Sequence, residues 1–318
     1  MNSVSVEKCG FVAILGRPNA GKSTLVNACV GAKISIVSNK PQTTRNQILG
    51  LVMQQDTQIC FLDTPGIHRN IKGLALNKWM NKEAWRVLDD AHVVCYCIDS
   101  TAGFHREDGP FLEKILSKTG PKVFCLFTKG DAKKSELIET QVQFSKEKVE
   151  EIRRKLKESA GTDVPLVEFL EISSKRPTEV QSFLEKVASL LPEGPHLYPK
   201  DQLTDQPTQF VVGELIREQV FRQLAEELPY QCAVVLDKFE PKVGITHILA
   251  TIVVQKENHK GMVIGSRGSR IKEIGVLARE SIEKLLGHKI YLELFVKVQE
   301  GWASSDESIL DFTHILRE

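Results

Sequence analysis

The stretch that most constrains this chain is "CGFVAILGRPNAGKST", residues 9–24. An apolar, β-branched run leads directly into Gly16-Arg17-Pro18-Asn19-Ala20-Gly21-Lys22-Ser23, and a helical pattern covers 22–30. This is G-x-x-x-x-G-K-[ST] in a strand–loop–helix setting. The glycines let backbone N–H groups turn inward, and the helix N-terminus adds the positive end of its dipole. Both favour an anion. Lys22 supplies a point charge for β- and γ-phosphates, and Ser23, followed by Thr24, supplies a hydroxyl for Mg2+.

The rest of the first half suits such a loop. Short β-branched runs at 9–15, 47–53, 57–62, 92–98, 122–127 and 165–171 alternate with helical patterns at 22–30, 74–88, 107–118, 143–159 and 178–191. Alternation of this kind predicts a mostly parallel sheet with helices on both faces. "LLPEGPHLYPKDQLTDQPT" then breaks all periodicity with Pro and polar residues and reads as a boundary. Beyond it the order changes to a helix (209–227), strands (231–240 and 246–255), Gly-interrupted helices (260–286) and a strand (289–299). The expected layout is a domain over 1–191, a linker over 192–207, a smaller α+β unit over 208–300 and a tail over 301–318.

Composition removes several function classes. Lys and Arg number 42 against 41 Asp and Glu, so any nucleic-acid binding must rest on a local patch. No apolar run approaches the roughly 20 residues of a membrane helix. The seven cysteines sit in apolar contexts such as "VVCYCI" and "VFCLFT". They read as buried thiols without disulfide partners, in a reducing compartment such as a cytosol.

Further motifs extend the phosphate site. Asp63 ends an apolar strand and opens Asp63-Thr64-Pro65-Gly66-Ile67. An aspartate there can hold Mg2+ through water while the Gly66 N–H meets a γ-phosphate. At the end of "VFCLFTKGD", Asp131 of Thr128-Lys129-Gly130-Asp131 can accept from guanine N1–H and its 2-amino group. Adenine offers no such donor pair. The Lys129 stem can lie over the base, and N–H groups of Ser173-Ser174-Lys175, after "FLEI", can meet guanine O6.

The ordered set GRPNAGKS, Thr43-Thr44, DTPG, TKGD and ISSK resembles the five-motif signature of a translation-factor-class GTPase. One departure is Thr128, where the base motif usually begins with Asn; Thr can still tie that loop to the phosphate loop. The resemblance implies GTP and GDP as ligands. It also implies that Thr44, with Thr43 as runner-up, joins Ser23 and Asp63 around Mg2+. In GTPases resembling this one, an Asn at the position of Asn19 ligates K+ between phosphates. The catalytic set so implied is Lys22, Thr44, Gly66 and Asn19. Ile67 is apolar where many small GTPases use glutamine, so it cannot orient water, and slow basal hydrolysis is expected.

In the second half, "HKGMVIGSRGSRIKEIG" carries Gly265-Ser266-Arg267-Gly268 between helical patterns. Such a turn lets a nucleic-acid backbone approach closely, with its basic member pairing to phosphate. Residues 256–289 hold eight Lys/Arg against four Asp/Glu, a local excess of four positive charges in a near-neutral chain. The pattern resembles a type II KH domain, with Lys260, Ile264, Gly265, Ser266, Arg267, Gly268, Arg270 and Lys272 as the RNA-facing residues.

An α/β P-loop GTPase domain followed by a smaller α+β type II KH domain resembles the Era family of ribosome-assembly GTPases. "ELPYQCAVVLDKF", "IYLELFVKV" and "GWA" extend the likeness over nearly the whole chain. It implies the 3′ region of small-subunit ribosomal RNA and the assembling small subunit as partners, a monomeric cytoplasmic protein, and contact with the inner membrane surface. Two alternatives stand beside it: a passive RNA-binding module with a structural nucleotide site, and a different RNA-directed GTPase.

Overall fold

The computed structural model describes residues 6–37, 47–66, 85–118, 120–131, 136–160, 164–224, 228–300 and 302. It divides into two compact units; of the described residues, 35–37 and those from Gln206 onward fall in the second and the rest, up to Asp205, in the first.

The first unit contains β1 (Lys8–Gly16), α1 (Lys22–Val30), β2 (Ile48–Gln54), β3 (Thr57–Asp63), β4 (Val93–Asp99) and α2 (Asp108–Leu116). It continues with β5 (Lys122–Thr128), α3 (Glu136–Ala160), β6 (Val167–Glu171) and α4 (Pro177–Leu190). The six strands run β2-β3-β1-β4-β5-β6, and β2 is the antiparallel member, joined to β3 through a tight turn at Gln55 (φ 53). Parallel strands need cover on both faces, so they read as continuous apolar runs. Val12 to Leu15 of β1, Val93 to Cys95 of β4 and Cys125 to Phe127 of β5 are fully buried. Each large side chain so buried contributes about 1.5–3 kcal/mol. Phe111, Leu112 and Ile115 of α2 and Val142 and Val149 of α3 complete the layer over Tyr96 and Phe127.

This topology decides where a ligand can bind. β1 lies between β3 and β4, so successive connections leave it in opposite directions along the sheet. Open α/β sheets bind ligands at the carboxyl ends of strands flanking such a switch point. Gly16, Asp63, Asp99 and Thr128 all end strands on that edge.

Several boundaries differ from the sequence reading. α3 begins at Glu136, seven residues before the expected start: Ile138 and Val142 pack on the core, but an exposed Leu137 beside them blurs the apolar period there. Of the helix expected at 74–88, residues 85–88 are helical, in a stretch that runs to 90; the remainder lies outside the described residues. Residues 192–204 are strapped to the first sheet. Glu193 bridges Lys8, Thr204 bridges Gly50, and Gln58 Oε1 accepts from the N–H groups of Leu197 (2.8 Å) and Tyr198 (3.0 Å).

The second unit is α5 (Thr208–Gln223), β7 (Cys232–Lys242), β8 (Ile245–Val254), α6 (Glu257–Ile264), α7 (Ser269–Leu286) and β9 (Ile290–Val298). β8 lies between antiparallel β7 and parallel β9. Ile274, Ala278 and Ile282, at i, i+4 and i+8 of α7, share one buried core with Val212, Leu215 and Ile216 of α5 and with the inner face of the sheet. Trp302 is buried against Ala233 and Val253. α5 stops at Gln223, short of the expected 227, with Leu224 already extended (ψ 147). All seven cysteines are buried and free.

Candidate functional site

The phosphate loop is a strained turn that the sequence makes tolerable. Gly16 holds φ +140, and a Cβ there would stand 2.5 Å from Cys97 O. Gly21, at φ +83, caps α1 from the left-handed region. Asn19 (φ 61) is also left-handed, which Asn accepts more readily than most side chains. Lys22 is 6% exposed, and its ammonium donates to Gly16 O (3.1 Å) and Arg17 O (2.9 Å), which closes the loop around it. Burial pushes the Lys22 amine below its ordinary value, while the nearby Asp63 carboxylate opposes that shift. Beneath the loop, burial raises the Cys97 thiol to about 12 against the pull of Lys22, so it stays protonated.

Asp63 is fully buried at the end of β3, opposite Ile14 in register. Thr64 follows, but its hydroxyl donates to Ile14 O (2.8 Å), so it anchors the turn to β1 instead of facing the phosphate loop. Gly66 lies against the loop itself: a Cβ there would be 2.8 Å from Pro18 Cα. Arg17 turns away from the loop mouth, its Nε donating to Asp108 Oδ1 (3.1 Å) and its NH2 to Gly103 O (3.2 Å). Thr43, Thr44 and Ile67 lie outside the described residues.

The base loop is tied to the phosphate loop by one hydroxyl. Thr128 Oγ1 donates to Ala20 O (2.8 Å), with Ile98 O at 3.2 Å, so threonine makes the tie here. Lys129 (φ 60) pairs with Asp99, and the Gly130 N–H donates to Ile172 O (3.3 Å). Asp131 accepts from Ser173 Oγ (2.9 Å) and Lys175 Nζ (2.6 Å), and these two bonds hold its carboxyl below the usual range. Each carboxylate oxygen keeps a second lone pair for an incoming donor. The Ser173 N–H donates to Glu179 Oε2 (2.7 Å) and the Lys175 N–H to Ser173 Oγ (3.2 Å). Those two amides are therefore already engaged, which leaves the O6 contact expected of this turn to Ser174. Sequence reasoning missed Asp108, Tyr96, Asp99 and Glu179. Each acts by side-chain bonding that no local motif marks.

In the second unit, Gly265 (φ 73), Arg267 (φ 49) and Gly268 (φ 77) place three left-handed residues in one short turn between α6 and α7. Ser266 and Arg267 are exposed, as is Lys272, while Lys260 and Ile264 are half-buried. A Cβ on Gly265 would meet Arg270 Cβ at 2.8 Å, so only glycine fits beside that side chain. Arg270 donates to Met262 O and thereby braces the turn.

Comparison with known proteins agrees with a GTPase domain followed by a KH domain. Residues 11–129 match the model described as a 50S ribosome-binding GTPase, and residues 227–303 match the KH domain. GTPase Era of Thermotoga petrophila is 40% identical over 304 residues, spanning 95% of this chain and 96% of its own length. GTPase Era of Pseudomonas putida is 38% identical over 311 residues, 97% of both chains. Among solved structures, an Aquifex aeolicus Era variant bound to GDP and tetrafluoroaluminate superposes with a TM-score of 0.85 at 34% identity, covering 97% of this chain and 100% of that one. Era in complex with MgGDPNP and nucleotides 1506–1542 of 16S ribosomal RNA gives 0.83 at 34% identity, over 98% and 100%. With a phosphate loop, a guanine-type base loop and a G-x-x-G helix pair on one chain, and relatives matched end to end, the protein belongs to the Era family of GTPases.

Proposed function

We propose that this GTPase is a slow switch that binds single-stranded RNA at the 3′ region of small-subunit ribosomal RNA and assists small-subunit assembly. The observation that carries the RNA half is the turn at 265–268, whose left-handed backbone and exposed Arg267 suit a phosphate chain passing at close range. The solved Era complex with 16S nucleotides supports the choice of RNA. Contact with the inner membrane face and a monomeric state belong to the same reading; among the described residues no helix is long and apolar enough to cross a membrane.

In the nucleotide half, Lys22 neutralises charge on the β- and γ-phosphates and the loop N–H groups orient them. The Gly66 N–H meets the γ-phosphate, and Asp131 with Ser174 reads guanine. Ser23 and buried Asp63 offer the hard oxygen donors that Mg2+ prefers, with Thr44 completing the set. When bound, Mg2+ would supply charge neutralisation for the phosphates. Asn19 is assigned to K+: its left-handed backbone makes it a specific member of the loop. Hydrolysis is then faster in K+ than in Na+, and equal rates in both would remove that role.

The test of the whole reading is multiple-turnover phosphate release with and without RNA of the 16S 3′ sequence. Catalytic release together with saturable RNA binding is expected. RNA binding with no turnover in any potassium or magnesium condition would establish the passive module instead.

A further inference from the structure

The turn between β4 and α2, residues 99–108, carries none of the motifs read from the sequence, yet it is tied to both ends of the nucleotide site. At the phosphate end, Asp108 is 1% exposed. Its Oδ1 accepts from Arg17 Nε (3.1 Å) and Tyr96 OH (2.7 Å), and its Oδ2 from the His105 N–H (2.6 Å). The Arg17 guanidinium also donates to Gly103 O (3.2 Å). Gly103 is itself left-handed (φ +66) and packed close to Gln141 of α3. At the base end, Asp99 holds the Lys129 ammonium and Ser100 Oγ donates to Thr128 O (2.7 Å).

These bonds give Arg17 a role other than phosphate binding. Its charge is committed to a buried carboxylate in a charge-assisted pair, and such a pair fixes geometry as well as energy. The next residue in the chain is Pro18, and Pro18 is what Gly66 rests against, at 2.8 Å from a Cβ built on the glycine. The position of Arg17 therefore sets that of Pro18, and Pro18 limits how near the Gly66 N–H can come to a γ-phosphate. Tyr96 is fully buried, its phenol raised well above the ordinary value by that burial and by Asp108, so its proton stays available to donate.

We propose that Asp108 and Tyr96 are positioning residues for GTP recognition, acting through Arg17 and Pro18 to set the γ-phosphate-sensing turn at Gly66. The proposal rests on Gly66 being that sensor, as assigned above. GDP has no γ-phosphate and feels the loop alone, so loosening the brace must discriminate between the two nucleotides.

Asp108→Asn keeps the side-chain shape and removes its charge. Tyr96→Phe removes a single hydroxyl and serves where the first variant folds poorly. Affinities for GDPNP and GDP are measured by fluorescent-nucleotide titration, with thermal melts alongside. The expected result is a GDPNP-to-GDP Kd ratio raised about five-fold by Asp108→Asn and about two-fold by Tyr96→Phe. A ratio at the wild-type value in folded Tyr96→Phe and Asp108→Asn would overturn the proposal, whether both affinities fall together or only the melting temperature moves. Gly66→Ala separates the two levels: if it too leaves the ratio unchanged, the sensor assignment has failed; if it alone moves the ratio, the brace has.

Discussion

The chain carries two turns read as meeting phosphate, and they are built in opposite ways. The loop at 16–23 adds to its local Lys22 bonds a set of ties from residues far away in sequence: Thr128 on Ala20, Asp108 on Arg17 and the packing of Gly66 on Pro18. The turn at 265–268 is held by its neighbours, with the Gly268 N–H on Gly265 O (3.2 Å), the Gly265 N–H on Gly261 O (2.9 Å) and Arg270 on Met262 O. Fixed geometry suits the first to its proposed task, distinguishing ligands that differ by one phosphate. The second has only to let a polymer backbone come near, and local bonds suffice.

The largest test of this contrast is Asp131→Asn. It replaces a charged double acceptor with an amide, so GTP affinity falls about 100-fold and xanthosine triphosphate, which accepts where guanine donates, becomes the better ligand. Competition titrations with both nucleotides read this, and unchanged GTP affinity would break the assignment of the braced site. Next in size, Asp at both Ser266 and Arg267 puts like charge against an RNA backbone. Fluorescence anisotropy with single-stranded RNA should show affinity lowered about 20-fold, with GTP affinity within a factor of two. If both activities fall together, the two turns are not independent in the way their bonding suggests.

A smaller effect is expected from Thr128→Ala. One neutral hydrogen bond between the base and phosphate loops is lost, so GTP and GDP affinities fall together by about five-fold. Unequal losses would move the γ-phosphate discrimination to this tie and away from the Asp108 brace. The smallest effect concerns pH. Lys175 and Ser173 lower the Asp131 pKa, so the ionised form persists until pH falls through that depressed value. The decline in guanine affinity therefore lies lower in pH than the ordinary aspartate range, about 3.9, would place it. Lys175→Ala moves the decline upward into that range, which a pH series of GTP titrations reads.

How much was legible before the structure follows the same division between local and distant bonding. The parallel sheet was legible because strands covered on both faces must be continuously apolar, as "VVCYCI" and "VFCLF" are. The two phosphate turns were legible because each is a contiguous run whose glycines answer to backbone angles. The end of α5 was not, since that helix buries Glu214, Arg217, Glu218 and Gln219 beside its apolar residues, which erases the period that marks a boundary. Nor was the strap at 192–204, which depends on Gln58 reaching residues 139 and 140 positions away. Asp108 stayed hidden for the same reason: its partner Arg17 is 91 residues distant, and the segment "GFHRED" reads as an ordinary polar turn.

In the proposed function the braced unit handles GTP while the exposed turn of the second unit handles the ribosomal RNA 3′ region. Crosslinking the full chain to cellular RNA, then sequencing the RNA and mapping the attached peptides, tests it most directly. Crosslinks are expected to the 3′ region of small-subunit ribosomal RNA through peptides containing residues 260–272. Crosslinks scattered over other RNAs, or carried by peptides of the first unit alone, would contradict it.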